Sequence, residues 1–152
     1  MPALSDSAVD ELSAPFRPRL ARLVTLGLAV AVLVLTAVII VVLPNAGPLD
    51  RAGFALVGML IAWFCWRQAT VSARADDGGL TVRNLMLTRR LEWSEIVSVR
   101  FGHGRPWVQL DLADGDTLAV MGIQRADGEL AEAEARRLAT LVAEHTRTTR
   151  DD

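Results

Sequence analysis

The sequence predicts a two-helix transmembrane hairpin followed by a small antiparallel β domain, with one α-helix at its C-terminal end. Three observations carry this reading. Apolar residues, 51% of the 152-residue chain, are concentrated between Leu23 and Trp66, with the charges on either side. From Ala69 the hydrophobicity alternates with period two between closely spaced turn signals. The final stretch changes to a helical period with acidic residues early and arginines late.

The first helix rests on residues 23–43, "LVTLGLAVAVLVLTAVIIVVL", which contain no charge. At about 1.5 Å per residue the run spans about 30 Å, the thickness of a hydrocarbon core. Its polar atoms, Thr25 and Thr36, can bond back into the helix. Arg17, Arg19 and Arg22 would suit a signal-peptide n-region, but the run exceeds the usual apolar length and "LPNAG" offers no A-x-A cleavage site. Pro44, Gly47 and Pro48 then predict a reversal over residues 44–51.

A second apolar run covers residues 52–66. It reaches spanning length only when extended to Leu49 or past Gln68, giving a segment of about 50–68; a tilted or re-entrant segment is the alternative. Trp63, Phe64 and Trp66 beside Arg67 resemble an interfacial belt. Gly58 and Ala62 form a small-xxx-small pair that would let the two helices approach closely. Arg17, Arg19 and Arg22 precede the first helix, Arg67 and Arg74 follow the second, and the connecting loop holds only Arg51 beside Asp50. The positive-inside rule therefore puts both termini in the cytoplasm, at the plasma membrane. Residues 1–22, with Asp6, Asp10 and Glu11, read as a solvated, disordered tail.

Within residues 69–147 each strand has its own pattern. Leu80 and Val82 alternate with Thr81 and Arg83 after the turn "DDGG". Leu87, Leu91 and Trp93 share one parity. Val97, Val99 and Phe101 oppose Ser98 and Arg100. Val108, Leu110 and Leu112 oppose Trp107, Gln109 and Asp111. "ADGD" is a hairpin turn, after which Leu118 and Val120 point inward. With "TVSARA" (70–75) before the first turn, this gives six strands; a seventh would have to come from residues 122–126, or is absent. In the final helix Asp127 is the expected N-cap and Glu132–Arg136 an i,i+4 pair, with Arg147 near the end. Ala131, Ala135, Leu138, Leu141 and Val142 form an apolar stripe suited to plugging the open end of a sheet or barrel. Residues 148–152 are a tail.

Strands, a Trp-Ser-Glu-Ile corner and one C-terminal helix resemble the bacterial pleckstrin-homology-like (PH-like) domains. More narrowly, they resemble actinobacterial membrane proteins carrying the low molecular weight protein antigen 6 type of PH domain. The residues that carry this are "GLTVRN" (79–84), "RRLEWSEI" (89–96), "WVQLDLADGDTLAV" (107–120) and the Ala-Arg-Leu helix. All sixteen basic residues being arginine suits a GC-rich coding sequence. The resemblance implies a seven-stranded PH fold, one more than the pattern supplies.

The sequence offers little chemistry. A net charge of −2 gives no polyanion-binding field, so nucleic acid is not an expected partner. Cys65 is alone and cannot form an intrachain disulfide. His103 and His145 lack the neighbours a metal would need, and Asp111, Asp114 and Asp116 fit turn geometry better than a calcium loop. No catalytic motif appears, and neither enzyme activity, cofactor nor metal is expected. Trp93, Ile96, Leu110 and Leu138 are expected core residues. Arg83, Arg90, Arg100 and Arg105 are the candidate contacts for an anionic headgroup or a partner; Arg90 is expected to face solvent and Arg89, on the core parity, to lie at a rim. The alternative is that these arginines pair with Asp76, Asp77, Glu92 and Glu95, or simply touch anionic lipid under the anchor. The leading reading is a non-enzymatic scaffold that recruits a membrane or cytoplasmic protein to the bilayer. Headgroup or phosphate sensing is the alternative, and self-association stays open.

Overall fold

The computed structural model describes residues 14–102 and 104–148, with backbone alone for 147 and 148. The chain divides into two units. One is residues 19–70; the other is residue 71 onward, together with the segment that precedes the first helix.

The helical unit is a hairpin of α1 (Arg19–Val42) and α2 (Pro48–Ala69), both long and apolar enough to cross a membrane. The reversal is shorter than the Pro and Gly signals predict, because Pro48 opens α2 instead of ending the turn. Its fixed φ suits the first helical turn. The Asp50 carboxylate accepts the Gly47 N–H at 2.9 Å. At 22 residues, α2 is thus longer than its apolar run. Thr25 bonds back to the Ala21 carbonyl at 2.7 Å, as expected. Gly58 lies against Thr36 so closely that a Cβ would overlap that side chain. Ala29, Ala62 and Cys65 form the hairpin's buried cluster. The small residues at 58 and 62 are therefore used for close packing, while Leu23, Val30, Leu56 and Trp63 face outward.

The second unit holds two antiparallel three-stranded sheets. Sheet 1 is β1 (Ser72–Asp76), β2 (Gly79–Arg83) and β3 (Thr88–Glu92); sheet 2 is β4 (Ile96–Arg100), β5 (Trp107–Leu112) and β6 (Thr117–Gln124). A 3-10 turn at Trp93–Glu95 makes the corner between them, and α3 (Glu129–Thr148) follows β6. The inward strand positions are those the alternation predicts: Leu80, Val82, Leu91, Val108, Leu110, Leu112, Leu118 and Val120 are buried. The α3 stripe of Ala131, Ala135, Leu138, Leu141 and Val142 completes the same core.

Trp93 is buried at the corner. Its indole N–H donates to the Asp76 carbonyl at 3.0 Å, and its ring stacks on His145 of α3 at 4.5 Å. One side chain thus ties both sheets' junction to the helix. On the side of the unit where β1 meets β6, Asn84 makes a second tie. Its amide donates to the Ala119 carbonyl at 2.7 Å and accepts the Met121 N–H at 3.1 Å. Gly122 permits the approach, since a Cβ there would press on the Phe16 carbonyl and the β1 backbone.

Four expectations need correction, and the open question of a seventh strand is answered. The tail does not extend to residue 22: residues 14–18 belong to the β unit. Phe16 is fully buried and exchanges backbone hydrogen bonds with Ala73 at 2.8 and 3.0 Å. Arg137 of α3 lies over the Phe16 ring at 4.0 Å and donates to the Ala14 carbonyl at 2.8 Å. Residues 1–13, including Asp6, Asp10 and Glu11, and residues 149–152 of the expected C-terminal tail lie outside the described residues. Second, Val97 is exposed, because a bulge between Ile96 and Ser98 adds a residue to β4 and turns it outward. Third, Leu87 precedes β3 and is exposed, so it does not share the burial of Leu91 and Trp93. Fourth, the first α3 bond runs from the Glu132 N–H to Gly128, which moves the N-cap one residue past Asp127. Finally, residues 122–124 lengthen β6 and 125–127 form a 3-10 turn, so that region supplies no seventh strand.

Candidate functional site

The candidate arginines are separated by the fold. On β2, burial of Leu80 and Val82 turns Thr81 and Arg83 outward; on β3, burial of Leu91 leaves Arg90 facing out. Arg83 and Arg90 therefore share the outer face of sheet 1. Arg100 lies on the outer face of sheet 2, and Arg105 in the loop between β4 and β5.

Several of these charges are already balanced. Arg90 meets the Asp76 carboxylate at 2.8 Å, as the ion-pair alternative anticipates, and Asp76 also accepts the Gly78 N–H at 3.0 Å. Arg89 is half-buried and sits 3.5 Å from Asp114. Arg100 pairs closely with Asp111, which also accepts the Ser98 hydroxyl. That hydroxyl, and then Arg100, hold the Asp111 carboxyl below its ordinary value against a partial opposing desolvation. Of the two roles open to Glu95, capping or pairing with an arginine, the structure shows the cap: its carboxylate accepts the Glu92 N–H at 2.7 Å and closes the corner turn. Arg83 and Arg105 form no ion pair with a carboxylate among the described residues, although the charge of Arg105 also favours ionised Asp111.

The acidic hairpin is a turn. Asp114 accepts the Asp116 N–H at 2.9 Å, and Gly115 donates to the Leu112 carbonyl at 3.0 Å. Among the described residues no group of three or more His, Cys, Asp or Glu side chains could hold a metal ion. His103 lies outside the described residues; His145 is engaged with Trp93 and the Leu141 carbonyl.

A groove of about 370 Å³ runs between the β4 end of sheet 2 and α3. Val99 and Phe101 line one wall, Ala135 and Ala139 the other, and Arg125, Glu132 and Arg136 form its rim. Arg125 is held over Phe101 at 5.1 Å and donates to the Arg105 carbonyl at 2.9 Å, fixing the loop that bounds the groove. The alternation of β4 marks Val99 and Phe101 as inward, and the helical stripe includes Ala135. Their meeting in an open cleft depends on tertiary packing, and the sequence carries no signal for it.

Residues 70–140 match the bacterial PH domain family, and the two three-stranded sheets and C-terminal helix are consistent with a PH-like domain. Uncharacterised proteins of Mycobacterium tuberculosis and Mycobacterium bovis are 33% identical over 96 residues. The match covers 63% of this chain and 62% of each relative's length. No solved structure matches.

Proposed function

We propose that this bacterial PH domain is a non-enzymatic recruitment module, held at the inner face of the plasma membrane by the apolar hairpin. The observation that carries the reading is the Phe16–Ala73 pairing. It joins the segment just before α1 to the strand just after α2. A hairpin that spans a bilayer then has both ends on the domain's side. The arginine asymmetry across the hairpin supports the cytoplasm as that side.

Recruitment of a protein is supported by the groove beside β4. The strand ends its sheet, and an extended partner segment laid along it would gain main-chain hydrogen bonds while an apolar side chain fills the space over Val99 and Phe101. The test has two arms. Reporters fused before Met1 and after Asp152 should both read as cytoplasmic; a periplasmic C-terminus overturns the topology. A photocrosslinking residue at Ala139 of the full chain should give a discrete protein adduct in native membranes, and Phe101→Asp should abolish it. The same adduct from a crosslinker at Thr117, or its survival in the Phe101 variant, overturns the groove as the docking place.

A further inference from the structure

The groove beside β4 is not evenly charged. Glu132 and Arg136 lie one turn apart on α3 with 3.9 Å between their charged groups, so each partly offsets the other. Arg125, the third charged residue of the rim, is placed differently. Its Nε donates to the Arg105 carbonyl at 2.9 Å, its Nη2 donates to the Gly102 carbonyl, and the guanidinium lies over the Phe101 ring at 5.1 Å. These partners are all neutral, and Arg125 forms no ion pair among the described residues. The cation is held in one place with its charge unbalanced.

The way it is held leaves one edge open. A guanidinium presents its N–H groups as planar forks, one of which is made by Nε and Nη2. In Arg125 that fork is engaged by the two carbonyls. The end-on fork, Nη1 with the second Nη2 hydrogen, bonds to no described residue. Two parallel N–H groups match a carboxylate in bidentate fashion. Because the side chain is already ordered, a partner gains this contact without the entropy cost of fixing it.

The apolar part of the groove sets where that carboxylate would stand. Val99 of β4 and Phe101, just past its end, are half-buried, so each keeps an open surface. Ala135 and Ala139 stack one turn apart on α3 and keep the facing wall shallow, leaving room for a large side chain. A segment extended along β4 carries alternate side chains on one face, about 7 Å apart. When one of them covers Val99, the next on that face arrives beside Phe101 and Arg125. The bulge between Ile96 and Ser98 confines regular pairing to this end of the strand. Antiparallel pairing, the more stable kind, runs such a segment from Phe101 towards Ile96. The residue at Arg125 then precedes the one over Val99 by two positions.

We propose that the groove selects an extended protein segment with an acidic side chain two residues before a large apolar one, and that Arg125 reads the acid. The inference rests on the groove reading above and adds the partner's chemistry to it. A basic side chain at the same position would meet an ordered like charge, so Arg125 also rejects partners.

The experiment selects from a phage-displayed library of random peptides on the full-length protein in detergent micelles, with Phe101→Asp protein as the subtracting bait. Enriched peptides should carry aspartate or glutamate two positions before leucine, isoleucine, phenylalanine or tryptophan. With Arg125→Gln as bait the apolar preference should remain and the acidic one vanish, and the best parent peptide should bind about tenfold more weakly or worse. Arg125→Glu should turn the preference at that position to arginine or lysine, a reversal that loosening of the loop alone does not produce. An apolar preference without an acidic one, or an acidic preference that persists in Arg125→Gln, overturns the role of Arg125 and leaves the groove reading standing. No enrichment over the Phe101→Asp bait overturns the groove reading and this inference with it.

Discussion

The two sheets are built alike, yet their outer faces carry charge differently. In sheet 2 the register sets Ser98 and Asp111 side by side with Arg100 one position along, and the three side chains satisfy one another. In sheet 1 three arginines of the strands and Arg17 alternate with hydroxyls, and of these only Arg90 reaches a carboxylate among the described residues. Composition supplies part of the difference, since the strands of sheet 1 hold Arg74, Arg83, Arg89 and Arg90 and those of sheet 2 only Arg100. The rest comes from which residues register places opposite each other. A neutralised face needs no external ion; a face with unpaired guanidiniums is stabilised by anions brought from outside.

This contrast also divides what a reader of the sequence could see. The strands, their inward residues and the α3 stripe follow from periods of two and 3.6, and Trp93 is legible as a corner plug. So are the hairpin and the role of Gly58. The arginine lattice is not legible, because Arg17 precedes α1 while Arg74 and Arg83 follow α2. Only strand pairing brings them together. Phe16 is hidden for a related reason: "APFRP" has prolines on both sides of it and no alternation around it, so nothing local marks it as core. Val97 fooled the parity rule because a bulge changes the count within one strand.

The largest effects should come from breaking the pieces that join the sheets. Phe16→Ala and Trp93→Ala should each destabilise the β unit by about 3–5 kcal/mol, the usual cost of emptying a buried aromatic site. Chemical denaturation of the full-length protein in detergent micelles measures this. A change below about 1 kcal/mol for Phe16→Ala would mean the N-terminal segment is an ornament of sheet 1 and no part of its core. Arg17 would then lose its fixed place on the outer face.

Asn84→Ala should have an intermediate effect, about 1–3 kcal/mol, since it leaves the Ala119 carbonyl and Met121 N–H of β6 without their side-chain partner. Amide exchange at Met121 should rise more than exchange in β4. Uniform acceleration across both sheets would show that Asn84 supports the whole unit and not the junction alone.

The smallest effect concerns acid, and it sharpens the comparison between the faces. The Asp111 carboxyl is held below its ordinary value of 3.8, first by the Ser98 hydroxyl and then by Arg100. A carboxylate with a lowered folded value stabilises the native state above its unfolded value, and that contribution fades as pH falls through the folded one. The loss should therefore begin near pH 3.8 and continue below it. Asp111→Asn should flatten this part of the pH–stability curve, whereas Arg74→Gln on sheet 1 should leave its shape unchanged. Asp111 is solvent-facing, so screening by salt should shrink the difference further. If Asp111→Asn and the parent chain follow the same curve in low salt, the Ser98–Asp111–Arg100 cluster does not hold charge in solution. The outer face of sheet 2 would then offer Arg100 as a free cation, and the contrast with sheet 1 would disappear.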